Sequence, residues 1–498
     1  MITGHYRNAF GESSGPAPSW EDIGALGDWV ANPEVWGGPS DPFGSHSNES
    51  TVTAMNVIAA GNGNSQTPAG YTYLGQFIGH DISFDSKSDR NDPAHRPEHP
   101  TSTLDVRNHR TPLFDLETVY GNTSPTRPGE PARERLIDPS DRDKLRLDPT
   151  VRQAGADVSF PNDLPRNPDA VVDPRNAENL IIAQIQTAFA KFHNAMVDRL
   201  RGNGRTADVF ECARRLVIRH YQKVVIDDFL PRFVHADTLA KVLAKIADGS
   251  PSFYTPAAGD LYLPREFSVG AFRLFHALIQ NGYNINRLHP QSIMPDLFER
   301  AGSRLGSSWV VNWNLFFDTA GRSTGFNFAK RIDHRFSSLL SRLPTRLPGP
   351  RLSLAVLDLA RGSSSRLRSG QEIADEMRSH YDLRTVAPSE IGARMTAPLF
   401  RIFGDRTPLL FYLLVESDVH NAGEQAGDLG GVLIAETFFR LLKLSPYSVL
   451  DSPLGDDDEV LVPSRNGTEL SVPDILNFIA AGNQLFDELN PLGDHNQP

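Results

Sequence analysis

The chain has 498 residues, enough for a large core, and its 39% hydrophobic and 22% charged residues are ordinary for a globular protein. A net charge of −12 argues against nucleic acid as the main partner, since phosphate binding needs a basic surface, and against docking on anionic lipid. The one cysteine, Cys212, excludes an intramolecular disulfide framework and a cysteine-ligated metal or iron–sulfur site.

No stretch approaches the ~20 apolar residues that a membrane span requires. The first residues, Met1-Ile-Thr-Gly-His-Tyr-Arg7, hold no apolar run of the signal-peptide kind. The cytoplasm is the default expectation, with export by a route that leaves no N-terminal signature also open. Residues 1–50, rich in Gly, Ser, Pro and Asn, predict an extended arm or wrapped loop. A helix is predicted from about 68 to 82. From Ser86 to Arg110 and from Gly121 to Arg175, prolines and charges break every periodicity and predict surface excursions.

The second half is predicted to be helical. Leu180, Ile181, Ile185, Phe189, Phe192 and Met196 recur near 3.6 spacing between Asn179 and Arg201. Thr206 is a candidate N-cap for a helix through Leu216, Val217, Tyr221 and Val224 that stops at Pro231; Cys212 within it reads as a small buried hydrophobe. Further helical patterns fall at about 265–280, 325–342, 371–380, 408–416, 432–443 and 473–487. Period-2 runs are few and short, and there is no internal repeat. The fold class this implies is all-α: an arm over 1–50, then one large helical domain over 51–498, with two fused domains as the alternative.

Four segments carry candidate chemistry. In Gly75-Gln-Phe-Ile-Gly-His-Asp81, Gln76 and His80 stand four apart on one helical face, and Asp81 points elsewhere. An imidazole with an amide one turn below can handle a small polar molecule, and Asp81 can bind a hard cation. In Phe272-Arg-Leu-Phe-His276, a neutral imidazole on an apolar helix face is a competent ligand for haem iron, with Arg273 one turn before it. Taken alone, a histidine on such a face more commonly reads as a satisfied core residue. Asp173-Pro-Arg-Asn-Ala-Glu-Asn179 reads as a helix start, with Pro174 suited to N1, and it also mounts Arg175 and Glu178 on one face. In Thr111-Pro-Leu-Phe-Asp-Leu-Glu-Thr-Val-Tyr-Gly121, Thr111, Asp115 and Glu117 offer oxygens at alternating positions. The Leu113 carbonyl and Asp81 could complete much of a calcium shell, unless the loop is merely solvated.

Taken in this order, the four segments resemble the animal-type haem peroxidases, the superfamily that includes myeloperoxidase, lactoperoxidase and the cyclooxygenases, in a compact bacterial-like form. The matching blocks run from about Tyr71 to Arg440 and include Ala190-Lys-Phe-His-Asn194, Asp227-Asp-Phe-Leu-Pro231 and Gly423-Glu-Gln-Ala-Gly-Asp-Leu-Gly430. The resemblance implies a haem buried between central helices. It makes His80 the distal base, Arg175 the distal arginine, and Gln76 the amide that holds water or an anion. It makes His276 the proximal ligand, with Arg273 beside a propionate and Asp358 and Arg361 of Leu357-Asp-Leu-Ala-Arg361 nearby. It implies calcium at Asp81, Thr111, Leu113, Asp115 and Glu117. The cofactor implied is haem b, or a haem singly ester-linked through Glu178.

The departures from the family pattern are specific. Its second ester-forming carboxylate is Gly79 here, and its sulfonium-forming methionine is Asn179, so bromide, iodide and thiocyanate are expected ahead of chloride. Its proximal asparagine is Asp358, which draws the imidazole toward imidazolate. Its short calcium-loop serine is Glu117. The implied partners are hydrogen peroxide and a small organic or anionic donor, with oligomeric state left open. A histidine near the unperturbed pKa of ~6.5 would lose its basicity in mild acid. The alternatives are a fatty-acid dioxygenase of the cyclooxygenase branch, whose radical-forming tyrosine position is Arg273 here, and a catalytically silent haem- or calcium-binding adhesion protein.

Overall fold

The computed structural model describes residues 5–13, 18–31, 63–85, 107–121, 133–156, 160–165, 171–250, 253–301, 304–319, 326–341, 343, 353–455, 458–482, 489–490 and 492. Among these, helices predominate. The strands are short and form four two-stranded pairs, such as Asn64–Pro68 antiparallel to Phe328–Lys330. One continuous cluster of buried apolar side chains runs from Phe10 to Ile479, so the described residues share a single core. No described helix is long and apolar enough to cross a membrane.

The centre of that core is helix Gly70–Ile82. It is apolar almost all round, as a helix enclosed by neighbours must be. Phe77 stacks on Phe189 of helix Leu180–Gly202 with ring centroids 4.7 Å apart. Tyr221 of helix Val209–Val224 meets Phe189 edge-on at 5.7 Å, and the triad pins the three helices together. Helix Leu180–Gly202 starts at Asn179, whose Oδ1 accepts from the Ile181 amide at 2.8 Å.

Other expectations change. The predicted arm holds helix Trp20–Ala31, which lies so close to helix Leu354–Ser364 that a Cβ on Gly27 would meet Val356 Cγ2 at 2.5 Å. Only Gly permits that approach. Residues 1–4, 14–17 and 32–50 of the arm lie outside the described residues, as do 86–106 of the first predicted excursion and parts of the second. Helix Val209–Val224 begins after Asp208, not at Thr206, and does not stop at Pro231. A π turn, Val225–Phe229, shifts the register so that Pro231 falls in the first turn of Leu230–Phe233, where its missing N–H costs nothing. The helix predicted at 325–342 is absent between Phe326 and Ser341. The segment forms strand Phe328–Lys330 and a short 3-10 turn, Ser338–Ser341. Asp333 Oδ1 accepts from the Arg335 amide at 2.8 Å, a local turn that competes with helical bonding.

Candidate active site

In helix Gly70–Ile82 every residue is buried except Gln76 and His80. Two half-open positions four apart in an otherwise enclosed helix form one accessible stripe along it. The adjacent stripe is Gly75 and Gly79. Cβ atoms there would meet Phe275 Cδ1 at 3.7 Å and Phe272 Cε1 at 2.7 Å, so the helix is flat where it meets the 3-10 segment Ala271–Leu278. In that segment the half-open side chains are Phe272, Arg273 and His276. Arg273 and His276 follow the two contacting phenylalanines by one residue each, just as Gln76 and His80 follow the two glycines.

His80 Nδ1 lies 2.6 Å from Asn176 Oδ1. The Asn176 amide nitrogen donates to Thr118 Oγ1 at 2.9 Å and to Gln186 Oε1 at 2.7 Å, which turns its oxygen toward the histidine. An acceptor at Nδ1 requires the Nδ1–H tautomer and leaves Nε2 bare. Burial first, and then the Arg175 cation, push the His80 pKa down to about 3; Asp173 and the Asn176 bond oppose them. This corrects the expectation of a histidine that titrates near ~6.5. His80 is neutral in mild acid.

Arg175 sits in the 3-10 turn Pro174–Ala177, whose N-cap Asp173 accepts from its amide. Its Nε and Nη2 also bond Asp173, at 2.9 and 2.7 Å, and Nη2 donates to the carbonyls of Ser83 at 2.6 Å and His80 at 3.2 Å. Phe84 lies under the guanidinium, 4.5 Å from its ring centroid. Nη1 has no bond among the described residues, so two N–H groups remain for a ligand. Burial by itself would raise the Asp173 pKa, but the Arg175 charge and hydrogen bonds hold it well below the usual carboxylate range. Glu178, half-buried, follows Arg175 by three residues, one 3-10 turn away. Asn179 is buried and committed to its cap.

On the other element, His276 Nδ1 lies 2.6 Å from Asp358 Oδ2, and Asp358 is 3% exposed. Arg273 Nη1 reaches the other Asp358 oxygen at 3.3 Å, and its Nε donates to the Ser268 carbonyl. The carboxylate is thus shared between ring and guanidinium. Arg361 Nη1 bonds Asp85 at 3.2 Å. Tyr6, on the N-terminal strand, is a residue that sequence reasoning missed. Burial and Asp85 raise its pKa, while Arg175, Arg273 and Arg361 act against them, so these three cations lie within electrostatic reach of one hydroxyl.

The acidic loop is only partly as expected. Asp81 Oδ2 and Oδ1 accept from the amides of Leu116 and Thr118, each at 3.2 Å, holding Leu116 at a left-handed φ of 55°. Burial and Asp115 raise the Asp81 pKa, and burial and Glu117 push Asp115 up to about 7. Neither carboxylate has an ion-pair partner among the described residues, so the donor set suits a cation. Glu117 does not join it. Its Oε1 bonds Arg110 at 3.1 Å and its Oε2 accepts from the Thr111 amide at 3.0 Å. The expectation of Glu117 as a cation ligand is therefore corrected: a buried guanidinium has claimed it. Among the described residues no three His, Cys, Asp or Glu side chains form a metal-binding group, which leaves Asp81, Asp115, the Thr111 hydroxyl and the Leu113 carbonyl as candidates.

The animal haem peroxidase family model matches residues 81–369, more than half of the chain, starting one residue after His80. Among curated proteins the chain is similar to dual oxidase of Drosophila melanogaster, 26% identical over 204 residues, covering 39% of this chain and 12% of that protein. It is also similar to a peroxidase-like protein of Margaritifera margaritifera, 27% identical over 212 residues, covering 40% and 26%. The matched stretch is thus at most about a quarter of these relatives' own length. Among solved structures, peroxidase A of Dictyostelium discoideum superposes with a TM-score of 0.52 at 17% identity, covering 86% of this chain and 87% of that one. The fatty acid alpha-dioxygenase of Oryza sativa gives 0.53 at 15% identity, covering 88% and 79%. At these identities the likeness is one of fold.

Proposed function

The chain belongs to the animal haem peroxidase family, and from that footing we propose that it is a haem-dependent peroxidase that reduces hydrogen peroxide with electrons from an organic donor or a small anion. The observation that carries the reading is His80. Its Nδ1 is tied to Asn176, and among the described residues its Nε2 and the Nη1 of Arg175 on the neighbouring turn carry no hydrogen bond. Family membership implies haem, and the half-open stripe of Gln76 and His80 beside that of Arg273 and His276 suits a cofactor site. His276 Nε2 would hold the iron, Arg273 and Arg361 would face the propionates, and the Glu178 carboxyl would be the one ester partner. When bound, the haem supplies the redox-active iron that cleavage of peroxide oxidises and donors reduce.

The protein groups handle protons and charge. His80 Nε2 takes a proton from one peroxide oxygen and delivers it to the other, so that the second oxygen leaves as water. The Arg175 N–H groups stabilise the negative charge that develops on the leaving oxygen. Two electrons from the donor and two protons complete the reduction to two waters. Asn176 holds the tautomer that makes His80 a base, and Asp358 fixes the His276 ring through Nδ1. The Gln76 amide, which makes no side-chain bond among the described residues, is placed to hold a water or a donor anion. Calcium is proposed at Asp81, Asp115, Thr111 and Leu113.

Gly79 has no room for a carboxylate against Phe272, and Asn179 is a helix cap, which leaves at most one covalent link. Bromide, iodide and thiocyanate are therefore favoured over chloride. A fatty-acid dioxygenase is disfavoured because the relevant tyrosine position is Arg273, bonded to Asp358 and Ser268. The test is peroxide-dependent oxidation of a dye donor or iodide by the haem-loaded protein. A loss of about 10²- to 10⁴-fold is expected in His80→Leu. Wild-type protein that binds haem but oxidises no donor, or that instead consumes oxygen with linoleate, overturns the reading.

A further inference from the structure

We propose that Arg110 is a positioning residue for Arg175, an inference that rests on the peroxidase reading above. Arg110 is 1% exposed and bridges two buried carboxylates: Nη1 to Glu117 at 3.1 Å and Nη2 to Asp173 at 3.0 Å. Asp173, 0% exposed, is the same carboxylate that Arg175 grips with Nε and Nη2. The result is an alternating row, Glu117, Arg110, Asp173, Arg175, of two anions and two cations. It runs from the acidic loop to the guanidinium at the site. Phe84 lies beside both cations, 5.6 Å from Arg110 and 4.5 Å from Arg175.

Two consequences follow from the geometry. Asp173 accepts from the Arg175 amide, Nε and Nη2 and from Arg110 Nη2, which fills the roughly four acceptor sites of a carboxylate. Its single charge is therefore shared between two cations, and Arg175 keeps more of its own positive charge for a ligand than an isolated pair would allow. Arg110 also precedes Thr111 in the loop, while Asp173 is the N-cap of the turn that carries Arg175. A shift of the loop therefore reaches Arg175 through one side chain. A guanidinium suits this better than an ammonium, because its planar fork offers a separate nitrogen to each carboxylate, whereas an ammonium supplies the charge from a single point.

The test compares haem-loaded variants with a matched control. Arg110→Met and Arg110→Lys alter the row. Asp458→Asn breaks Arg219–Asp458, another buried pair, at 7% and 2% exposure, outside the site. For each variant the denaturation midpoint is measured, with the turnover rate under limiting peroxide and under limiting donor. Both broken pairs lower the midpoint. Arg110→Met is expected to lower the peroxide-limited rate by about 10- to 100-fold, the scale of a displaced catalytic group, and to leave the donor-limited rate unchanged. Arg110→Lys restores part of the loss, and Asp458→Asn leaves both rates at wild-type values. Equal peroxide-limited rates in Arg110→Met and Asp458→Asn overturn the proposal. Should Arg110→Met fail to fold, Glu117→Gln, which frees the loop end of the row, is expected to slow the same step roughly 3-fold or more; an unchanged rate overturns the proposal. A wild type that consumes no peroxide overturns the peroxidase reading instead. The positioning is then read from a double-mutant cycle of Arg110→Met and Arg175→Met in denaturation. Non-additivity supports it and additivity refutes it.

Discussion

Acid is the most discriminating perturbation of the proposed base. With a pKa near 3, His80 is about 90% neutral at pH 4, whereas an unperturbed histidine at ~6.5 would be only about 0.3% neutral. The two cases differ roughly 300-fold in available base at that pH. The peroxide-limited rate is therefore expected to stay flat from pH 8 to about pH 4 and to fall only as pH approaches 3. Stability behaves differently. The folded pKa lies below the unfolded one, so the unfolded chain binds more protons between about pH 6.5 and 3, and stability is lost as pH falls through that window. For His80 the loss at pH 4 is roughly 3 kcal/mol or less. Enzyme should accordingly be held at pH 7 and brought to the assay pH only on stopped-flow mixing. A peroxide-limited rate that declines with an apparent pKa near ~6.5 would refute the argument that burial and Arg175 keep His80 neutral.

Further expectations concern the neighbours of the base. Asn176→Leu removes the acceptor at His80 Nδ1, and a lost buried bond of about 1–3 kcal/mol corresponds to a fall of roughly 5- to 150-fold in the peroxide-limited rate; an unchanged rate would deny Asn176 its orienting role. Glu178→Gln should release all haem on acid–ketone extraction, whereas wild type retains it; complete extraction from wild type removes the ester but not the peroxidase. Gly79→Ala should cost about 1–3 kcal/mol in denaturation because its Cβ meets Phe272 at 2.7 Å, and no loss would mean that the ring yields freely. Chelation of calcium should lower the denaturation midpoint of wild type but not of Asp81→Asn, and metal analysis that finds no calcium in the native protein would reject that site.

How legible the site was in the sequence depended on how many segments build each part. Gln76 and His80 were legible because a helix turns i and i+4 into one face without help from elsewhere. The His276 segment was legible for the same reason, although a 3-10 backbone carries it. Asn176 was not singled out, because its role depends on Thr118, Gln186 and His80, three side chains from three elements. The place of Glu117 is not legible, because alternating oxygens in a loop do not reveal that Arg110 folds back onto one of them. The 325–342 segment has helical apolar spacing, yet Asp333 caps a local turn that the spacing does not show. Helix Trp20–Ala31 was hidden among glycines and prolines, and what orders it is packing against helix Leu354–Ser364, a partner more than 300 residues away.

Haem binding beside Gln76–His80 and Arg273–His276 is read from the absorption spectrum of the purified protein after haem supplementation. Such binding predicts a Soret band at one haem per chain in wild type and its loss or marked shift in His276→Ala. A wild type with no Soret absorbance, or a spectrum unchanged in His276→Ala, would contradict it.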